Sequence, residues 1–380
     1  MKKRILAAIL ALLLALLCSC STQNNGSAET TAAATTVYET THPAETTAEV
    51  TTTEPETTKA PSVKVPLTRI SADESIRSIG SGLSVAKYRG DYGFSDFLSE
   101  GGAASDRELS DFLVKTVILS NLKRFSFGFG AGGCSTISAC GENGSFFGRN
   151  YDWKSCNGLI LVTEPSDGYR SVSTVNMDYI TSYSDYNLTD DMMRMVAAYS
   201  PLDGMNEKGV CISVNTVNGG EGISQNTGKK DLTTATAIRL VLDRAATASE
   251  AVNLLKNYDM HISLGQSVHF AITDASGGAV AVEYVGNKML VTETPVLTNH
   301  YVYKGSGKGT SETYTRESIL RNLLSENGSM NQWEVRDALK RVCREGGSLP
   351  TQWSAVFDRR ALSVTYYPRC NFSKGYILYL

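Results

Sequence analysis

The chain has 380 residues, a formal net charge of −3 and a sequence pI near 5.9. With 36 basic residues against 39 acidic ones, it lacks the basic excess that proteins use to contact phosphates, so no nucleic-acid partner is expected. Hydrophobic residues make up 42%, which is ordinary for a globular protein of a length that supports a large core.

The N-terminus has the pattern of an export signal. Basic residues at Lys2, Lys3 and Arg4 precede an apolar run from Ile5 to Leu17, which is shorter than the roughly 20 residues of a membrane-spanning helix. The sequence Leu-Cys-Ser-Cys at 17–20 resembles a bacterial lipobox, and Cys20 fits the lipidated position better than Cys18, which follows a bulky leucine. We therefore expect a lipoprotein signal peptide over 1–19 and an extracytoplasmic protein that is lipid-anchored to the bacterial cell membrane.

Residues 20–65 are built from Thr, Ala, Glu and Ser with few large apolar side chains. Such a segment buries too little apolar surface to offset the entropy of ordering the chain. The composition predicts a disordered, Thr-rich tether, and a glycosylated, mucin-like stalk is the alternative.

Residues 66–133 are predicted to form a helical pro-segment or small subunit. Ser105 and Glu108 form a capping box, and apolar residues at helical spacing follow as far as Arg124. The glycine-rich stretch 125–133 then provides a pliable backbone before Cys134.

From Cys134 onward the patterns predict strands first, helices in the middle and strands again at the end. Strands are expected over 135–139, 145–152, 159–163, 171–176 and 210–217, hairpins over 268–284 and 353–366, and helices near 238–245, 247–255, 312–324 and 332–343. The order lacks regular βα alternation, so it favours an α+β sandwich of two antiparallel sheets covered by helices.

Cys134 carries the most chemistry in the sequence. If the bond between Gly133 and Cys134 is cut, this residue supplies a thiol nucleophile and an α-amino base with an ordinary pKa of ~7.7–8.0. Five cysteines remain after Cys18, Cys20 and Cys134 are assigned, so at least one of them stays unpaired within the chain.

Five motifs in order resemble the choloylglycine hydrolase and linear amide C–N hydrolase family of N-terminal-nucleophile hydrolases. They are Cys-Ser-Thr at 134–136, Gly-Arg-Asn-Tyr-Asp at 148–152, the stretch 203–209 leading to Asn215, Val-Leu-Thr-Asn at 296–299, and Arg316 with the helix after it. The resemblance implies a four-layer αββα sandwich and a catalytic domain over 134–380. No paired Cys-x-x-Cys or His-Glu-x-x-His motif supports a metal site, and no cofactor is expected.

The resemblance also implies roles around the thiol. Cys134 is the nucleophile, Arg149 lies beside it and favours the thiolate, and the carboxylate of Asp152 orients the α-amino group. A structural ion pair in a turn is the alternative for Arg149 and Asp152.

Three further residues match supporting positions of the family. Asn299 and Asn215 are the predicted oxyanion donors, and Arg316 supports the site. Thr216 is the neighbouring candidate for the role of Asn215, for which a strand-end hydrogen bond is the alternative. A surface salt bridge is the alternative for Arg316.

Other side chains are expected to have plainer roles. A papain-like enzyme would need a histidine beside its cysteine, but the N-terminal mechanism does not, so we expect His261, His269 and His300 to be structural. Pocket-lining side chains are expected at Tyr151, Trp153, Met177 and Tyr179.

The sequence thus predicts an exported cysteine amidase, activated by autocleavage, that hydrolyses small-molecule N-acyl amides. Conjugated bile acid and penicillin V type substrates are included, although the long pro-segment resembles acid ceramidase and related N-acylethanolamine amidases. The alternatives are an acyltransferase of the same fold and a non-catalytic, ligand-binding surface lipoprotein. We expect the cleaved pro-segment to stay bound as a subunit and to keep the enzyme at the membrane.

Overall fold

In the computed structural model, the described residues are 62–117, 132–181, 188–263, 265–303 and 309–380. The chain divides into two units, residues 1–59 and 60–380, and all described residues belong to the second. The predicted signal peptide, Cys20 and the tether up to residue 61 lie outside them, as do residues 118–131. Across the described part of the chain, every helix falls short of the length or apolar character that a membrane span requires.

Eighteen strands are found in the described residues. In chain order they are β1 (Leu67–Arg69), β2 (Arg77–Gly80), β3 (Leu83–Arg89), β4 (Gly133–Gly141), β5 (Gly144–Asp152), β6 (Gly158–Glu164), β7 (Ser171–Asn176), β8 (Asp203–Asn206), β9 (Cys211–Thr216), β10 (Lys230–Thr233), β11 (Tyr258–His261), β12 (Val268–Thr273), β13 (Ala279–Val285), β14 (Lys288–Glu293), β15 (Val296–Leu297), β16 (Thr351–Asp358), β17 (Ser363–Pro368) and β18 (Gly375–Tyr379).

The same residues contain eight α-helices and one π-helical turn at Leu113–Val117. The helices are α1 (Phe94–Ser99), α2 (Asp106–Phe112), α3 (Asp178–Thr181), α4 (Asp190–Ala198), α5 (Thr234–Arg244), α6 (Ala248–Leu255), α7 (Ser311–Asn327) and α8 (Gln332–Arg341). The predicted cap residue Ser105 accepts the N–H of Glu108 at the start of α2, and Thr247 accepts that of Glu250 at the start of α6.

Two large sheets form the centre of the fold. One has seven strands in the order β1-β18-β17-β16-β5-β4-β15, and the other has nine in the order β14-β13-β12-β9-β8-β7-β6-β3-β2. Strands β10 and β11 form a small parallel pair of their own.

The helices cover the outer faces of these sheets. Helices α5 and α6 contact β8, β9, β12 and β13 of the nine-stranded sheet, while α7 and α8 contact β4, β5, β15 and β16 of the seven-stranded sheet. The two sheets meet where β4 contacts β9. This arrangement of layers is the predicted αββα sandwich, and the predicted fold class is confirmed.

The segment before Gly133 contributes strands as well as helices. Strand β1 pairs in parallel with β18, and β3 pairs in parallel with β6; these are the parallel pairs of the two large sheets, which are otherwise antiparallel. The prediction of a helical segment missed these strands because β1 and β2 are short and largely exposed, so they lack alternating apolar residues.

Aromatic side chains join the same segment to the rest of the unit. The rings of Phe97 and Phe112 lie 5.2 Å apart, and both contact Tyr199, at 5.8 and 6.2 Å between ring centroids. All three side chains are buried. Residues on both sides of the predicted cleavage point therefore share one hydrophobic core.

One disulfide is present among the described residues, between Cys343 after α8 and Cys370 after β17. Cys134, Cys140, Cys156 and Cys211 are free thiols. The free cysteines agree with the expectation that at least one of the five unassigned cysteines stays unpaired.

Candidate active site

The hairpin of β4 and β5 sets the geometry of the site. Cys134 lies opposite Tyr151, and Thr136 lies opposite Arg149. Because side chains alternate along a strand and cross-strand partners share a face, these four residues lie on one face of the hairpin. Asp152, which lies opposite Gly133, is on the other face.

Arg149 links the thiol to the nine-stranded sheet. Its Nη2 lies 3.5 Å from Cys134 Sγ, its Nη1 donates to the carbonyl of Leu202 at 2.8 Å, and its Nε lies 3.1 Å from Asp203 Oδ2. The side chains of Arg149 and Asp203 are fully buried. The guanidinium is therefore fixed beside the sulfur by an ion pair between the two sheets.

Asp203 is a residue of the site that the sequence prediction did not assign. Besides pairing with Arg149, it accepts a hydrogen bond from Trp353 Nε1 at 3.1 Å. Burial raises the pKa of its carboxyl, and the charge of Arg149 opposes this rise. Its place at the start of the stretch 203–209 is the sequence signal that could have identified it.

Asp152 is fully buried on the helix-covered face. Thr351 donates to its Oδ1 at 2.6 Å, while Oδ2 has no hydrogen-bond partner among the described residues and lies 3.9 Å from Arg316 Nη1. Burial raises the pKa of this carboxyl, and Arg316 and the Thr351 hydroxyl lower it. Asp152, which lies opposite Gly133, thus has one carboxyl oxygen, Oδ2, without a hydrogen-bond partner among the described residues.

Arg316 is buried and contacts the backbone around the predicted nucleophile. Its Nη1 donates to the carbonyl of Cys134 at 2.8 Å and to Ser135 Oγ at 2.5 Å, and its Nη2 donates to Asn299 Oδ1 at 2.8 Å. The alternative of a surface salt bridge does not hold, because these groups lie inside the protein.

Asn299 contacts the nitrogen that cleavage would convert to an amine. The backbone N–H of Cys134 donates to Asn299 Oδ1 at 2.9 Å, and Asn299 Nδ2 donates to the Thr216 carbonyl at 2.8 Å. In this uncleaved chain the amide therefore holds the predicted nucleophile in place; its role as an oxyanion donor stays a prediction.

Asn215 and Thr216 have different surroundings. Asn215 Nδ2 lies 3.3 and 3.4 Å from the carbonyl oxygens of Leu297 and Thr298, whereas Thr216 lines the cavity beside Cys134. The Thr216 hydroxyl donates to the carbonyl of Gly132 at 2.6 Å. The structure thus places Thr216 against Gly132, two residues before Cys134. A role for Asn215 as an oxyanion donor stays a prediction.

The thiol is held in a low-dielectric environment. Burial is the largest effect and raises the pKa of the Cys134 thiol, and the charge of Asp152 raises it as well, while Arg149, the backbone N–H of Asp152 and Arg316 lower it. A raised pKa means that the resting group is a thiol and that attack requires a base to remove its proton.

His269 and Glu283 are buried and together contact the chain next to Asn299, at Thr298; this pair is called the clamp below. His269 Nδ1 lies 2.8 Å from Glu283 Oε1, and its Nε2 lies 3.0 Å from the carbonyl of Thr298. Both ring nitrogens thus face oxygen atoms, so the ring bridges the Glu283 carboxyl group and the Thr298 carbonyl. The Glu283 carboxylate also accepts the N–H groups of Val302 and Tyr303, each at 2.8 Å.

The remaining two histidines considered above make other ion-pair contacts. His261 Nε2 lies 2.7 Å from Asp231 Oδ1, and His300 Nε2 lies 3.0 Å from Glu317 Oε2. Neither pair includes Cys134. Within the described ranges, no group of three or more His, Cys, Asp or Glu side chains is arranged to hold a metal ion.

A cavity with a largely apolar lining adjoins the thiol. Of the expected lining residues, Tyr151, Trp153 and Tyr179 line it, while Met177 does not. Leu202, Val214, Ile238 and Val268 add aliphatic surface, and Cys134 and Gly132 also line the cavity. The reacting bond of a substrate can therefore meet the thiol while an apolar group fills the cavity.

Residues 140–345, which are more than half of the chain, match the family model described as acyl-coenzyme A:6-aminopenicillanic acid acyl-transferase. The match confirms the predicted family and, with it, the prediction of an enzyme that acts on carbon–nitrogen bonds of linear amides. The matched range begins after Cys134 and includes the other five predicted site residues. No curated protein sequence matches the chain.

Three solved structures are among those similar to this chain. A mutant of conjugated bile acid hydrolase from Clostridium perfringens has 18% identity and a TM-score of 0.48, with 62% of this chain and 89% of that chain covered. Penicillin V acylase from Agrobacterium tumefaciens has 18% identity and a TM-score of 0.43, with 62% and 83% covered. The N-acylethanolamine-hydrolyzing acid amidase ortholog of Caenorhabditis elegans has 15% identity and a TM-score of 0.39, with 60% and 93% covered.

Proposed function

This chain belongs to the acyl-coenzyme A:6-aminopenicillanic acid acyl-transferase family, and from that premise we propose that it is the precursor of a cysteine amidase activated by cleavage before Cys134. The observation that carries the proposal is the set of contacts around this one residue. Its sulfur faces Arg149, its backbone N–H meets Asn299, and its carbonyl meets Arg316.

The activating cleavage is an acyl shift followed by hydrolysis. Cys134 Sγ attacks the carbonyl carbon of Gly133, an S–C bond forms, and the C–N bond between the two residues breaks. The amide nitrogen takes the proton that the thiol loses, so a thioester and a free α-amine result. Water then hydrolyses the thioester and releases the carboxylate of Gly133.

The mature enzyme repeats this chemistry on an external amide. The α-amine of Cys134 accepts the thiol proton, passes it to the leaving amine, and then activates water against the thioester. Asp152 and Asn299 hold the amine, and Arg149 favours the thiolate. Because the cavity is largely apolar, the substrate is an N-acyl amine with an apolar acyl group.

Mass analysis of the purified protein tests the cleavage. The wild type should yield a chain that begins at Cys134, whereas Cys134→Ala should stay intact. Conservative Cys140→Ser, which changes another free thiol, should cleave like the wild type. An intact Gly133–Cys134 bond in the wild type would favour the ligand-binding lipoprotein instead.

An acyltransferase is the second candidate, because the matched family is described by an acyl-transferase activity. The two activities share the thioester and differ in whether water or an amine accepts the acyl group. Product analysis with and without added amines separates them. A new amide product that forms in preference to the free acid would favour the transferase.

We also propose that the protein is exported and lipid-anchored at Cys20, and that the cleaved pro-segment stays bound. The pairing of β1 with β18 and of β3 with β6 supports retention, since departure would expose two sheet edges and the apolar surface around Phe97. Membrane fractionation of the cleaved protein tests this. A soluble catalytic chain, separated from a membrane-bound pro-segment, would contradict it.

A further inference from the structure

Gly132, two residues before Cys134, lies in the cavity beside the thiol. It is one of the lining residues, and its carbonyl oxygen accepts a hydrogen bond of 2.6 Å from the hydroxyl of Thr216. Thr216 is in turn fixed, because its carbonyl accepts from Asn299 at 2.8 Å. The uncleaved chain thus places a peptide carbonyl at a defined hydrogen-bond donor of the cavity.

The space around Gly132 admits no side chain. A Cβ atom built on this residue would lie 2.6 and 2.7 Å from two ring carbons of Trp153, which is closer than carbon atoms approach. Trp153 is buried, and its ring contacts those of Tyr151 and Tyr179, so it has little room to move.

Gly133 is confined in the same way. A Cβ atom here would lie 2.9 Å from Asp152 Oδ2 and 3.0 Å from Arg344 Nη1. Asp152 is held by Thr351, and Arg344 by an ion pair of 3.0 Å with Glu312. A side chain at Gly132 would therefore clash with a buried ring, and one at Gly133 would have to displace the ends of the Asp152 and Arg344 side chains.

In the proposed cleavage, Gly133 is the acyl group that Cys134 receives. The thioester with an external substrate forms on the same sulfur, so the substrate's acyl chain leaves the carbonyl carbon in the space that Gly133 and Gly132 occupy in the precursor. The carbonyl that contacts Thr216 is separated from the reacting carbonyl by one N–H and one CH₂. That spacing is the skeleton of an N-acylglycine.

We propose that the acyl site is built for the amides of N-acylglycines whose N-acyl chain is apolar and unbranched at its first carbon. Thr216 selects the inner carbonyl, Asp152 and Arg344 exclude a side chain on the glycine carbon, and Trp153 excludes a branch on the next carbon. The apolar cavity then receives the N-acyl chain. This inference rests on the proposed amidase activity, and the precursor's own glycines act as its built-in substrate.

The test uses the purified, cleaved wild-type enzyme and four amides of one fluorogenic aminocoumarin. The acyl groups are decanoylglycyl, decanoyl-L-alanyl, α-methyldecanoylglycyl and tridecanoyl, the last having the same chain length without the inner amide. We expect kcat/KM for the decanoylglycyl amide to exceed those for the two branched amides by at least about tenfold, the scale of one misfitting methyl group. It should exceed that for the tridecanoyl amide by a similar factor, since only the glycyl group accepts from Thr216.

The outcomes separate this inference from the amidase proposal. Equal or faster hydrolysis of the alanyl or tridecanoyl amide would overturn the N-acylglycine site and leave the amidase in place. If none of the four amides is hydrolysed by protein that has been cleaved at Cys134, the amidase proposal itself fails, and the acyl-site inference fails with it.

Substitution of Thr216 gives a second readout. Thr216→Val removes the hydroxyl at nearly constant shape, so the ratio of kcat/KM for the glycyl amide to that for the tridecanoyl amide should fall by about tenfold. Thr216→Ser, which retains a donor, should restore most of the ratio. A ratio that is the same in the wild type and the valine variant would contradict the assignment of Thr216.

Discussion

Asn299 Oδ1 accepts the backbone N–H of Cys134 at 2.9 Å, so the asparagine already holds the atom that the proposed cleavage would convert to an amine. Arg316 Nη2 lies 2.8 Å from the same oxygen. Asn299 Oδ1 is the acceptor in both contacts, and both are present while the bond between Gly133 and Cys134 is intact. The surroundings of the future amine are therefore organised in the precursor, as preorganised catalysis requires.

Arg316→Met should slow cleavage before Cys134 by about 10²-fold or more, since it removes donors to Cys134, Ser135 and Asn299 in a buried site. Gel densitometry of newly made protein over time measures the rate. Arg321→Met, about one turn further along α7 and paired with Glu317, is the matched control and should cleave normally. Similar slowing in both variants would indicate a general effect on α7.

Asp203→Asn should destabilise the protein by about 3–5 kcal/mol, because it leaves the buried guanidinium of Arg149 without its counter-charge. Urea unfolding in a Cys134→Ala background, which keeps all chains uncleaved, measures the change. Asp191→Asn is the control, since Asp191 is largely exposed in its pair with Arg194 and should cost at most about 1 kcal/mol. Equal effects would show that the Arg149 pair adds no special stability.

Thr351→Val should shift the acid limb of amide hydrolysis by the cleaved enzyme to higher pH, because ionised Asp152 holds the α-amine in the proposed mechanism. The Thr351 hydroxyl lowers the pKa of Asp152 against the larger effect of burial, so its removal raises that pKa further. The carboxylate then ionises only at higher pH. Rates of amide hydrolysis by the cleaved enzyme, measured from pH 4 to 8, test the direction, and Thr351→Ser is the control that keeps the hydroxyl. An unchanged acid limb in the valine variant would contradict a role for ionised Asp152.

In Glu283→Gln, the free energy of unfolding should decrease less steeply than in the wild type as the pH falls. Burial alone would raise the pKa of Glu283, but the hydrogen bond and charge of His269 and the N–H groups of Val302 and Tyr303 hold it below its usual range. Since the pKa is lower in the folded protein, the stabilisation is present above the unfolded-state value of ~4.3 and is lost as the pH falls through the folded-state value. Urea unfolding from pH 6 downwards should show a steeper decline in the wild type than in the variant.

The same pair offers a spectroscopic test. If His269 donates from both ring nitrogens, nitrogen NMR of histidine-labelled protein at neutral pH should show one imidazole with a proton on each nitrogen. That signature should disappear in His269→Gln. A singly protonated His269 in the wild type would show that the clamp on Thr298 works without an ion pair.

Much of the fold could be predicted because the patterns that specify it are local. The alternating residues after Cys134 and the cap residue Thr247 mark strands and a helix without reference to distant parts of the chain. The short, exposed strands β1 and β2 carry no such pattern. The pairing of β1 with the distant strand β18, and of β2 with its neighbour β3, was therefore missed.

The candidate site shows the same division. Cys134, Arg149 and Asp152 belong to one hairpin, so their proximity follows from the sequence once its register is known. The contacts of Asp203 and Thr216 depend on how β8 and β9 face the hairpin from the other sheet. The motif around Asp203 and the position of Thr216 beside Asn215 place both residues near the site, but their neighbours in sequence do not show which groups their side chains contact.

The sequence by itself determined the family and the layered fold, and it led to the proposal of Cys134 as the nucleophile, because ordered motifs and periodic apolar residues encode these features locally. Only the tertiary structure decided that Asp203 pairs with Arg149, that Thr216 and not Asn215 contacts Gly132, and that Gly132 and Gly133 lie too close to other side chains for a Cβ of their own. The physical reason is that these relationships join residues from different sheets, where burial and side-chain direction are fixed only when the layers pack together.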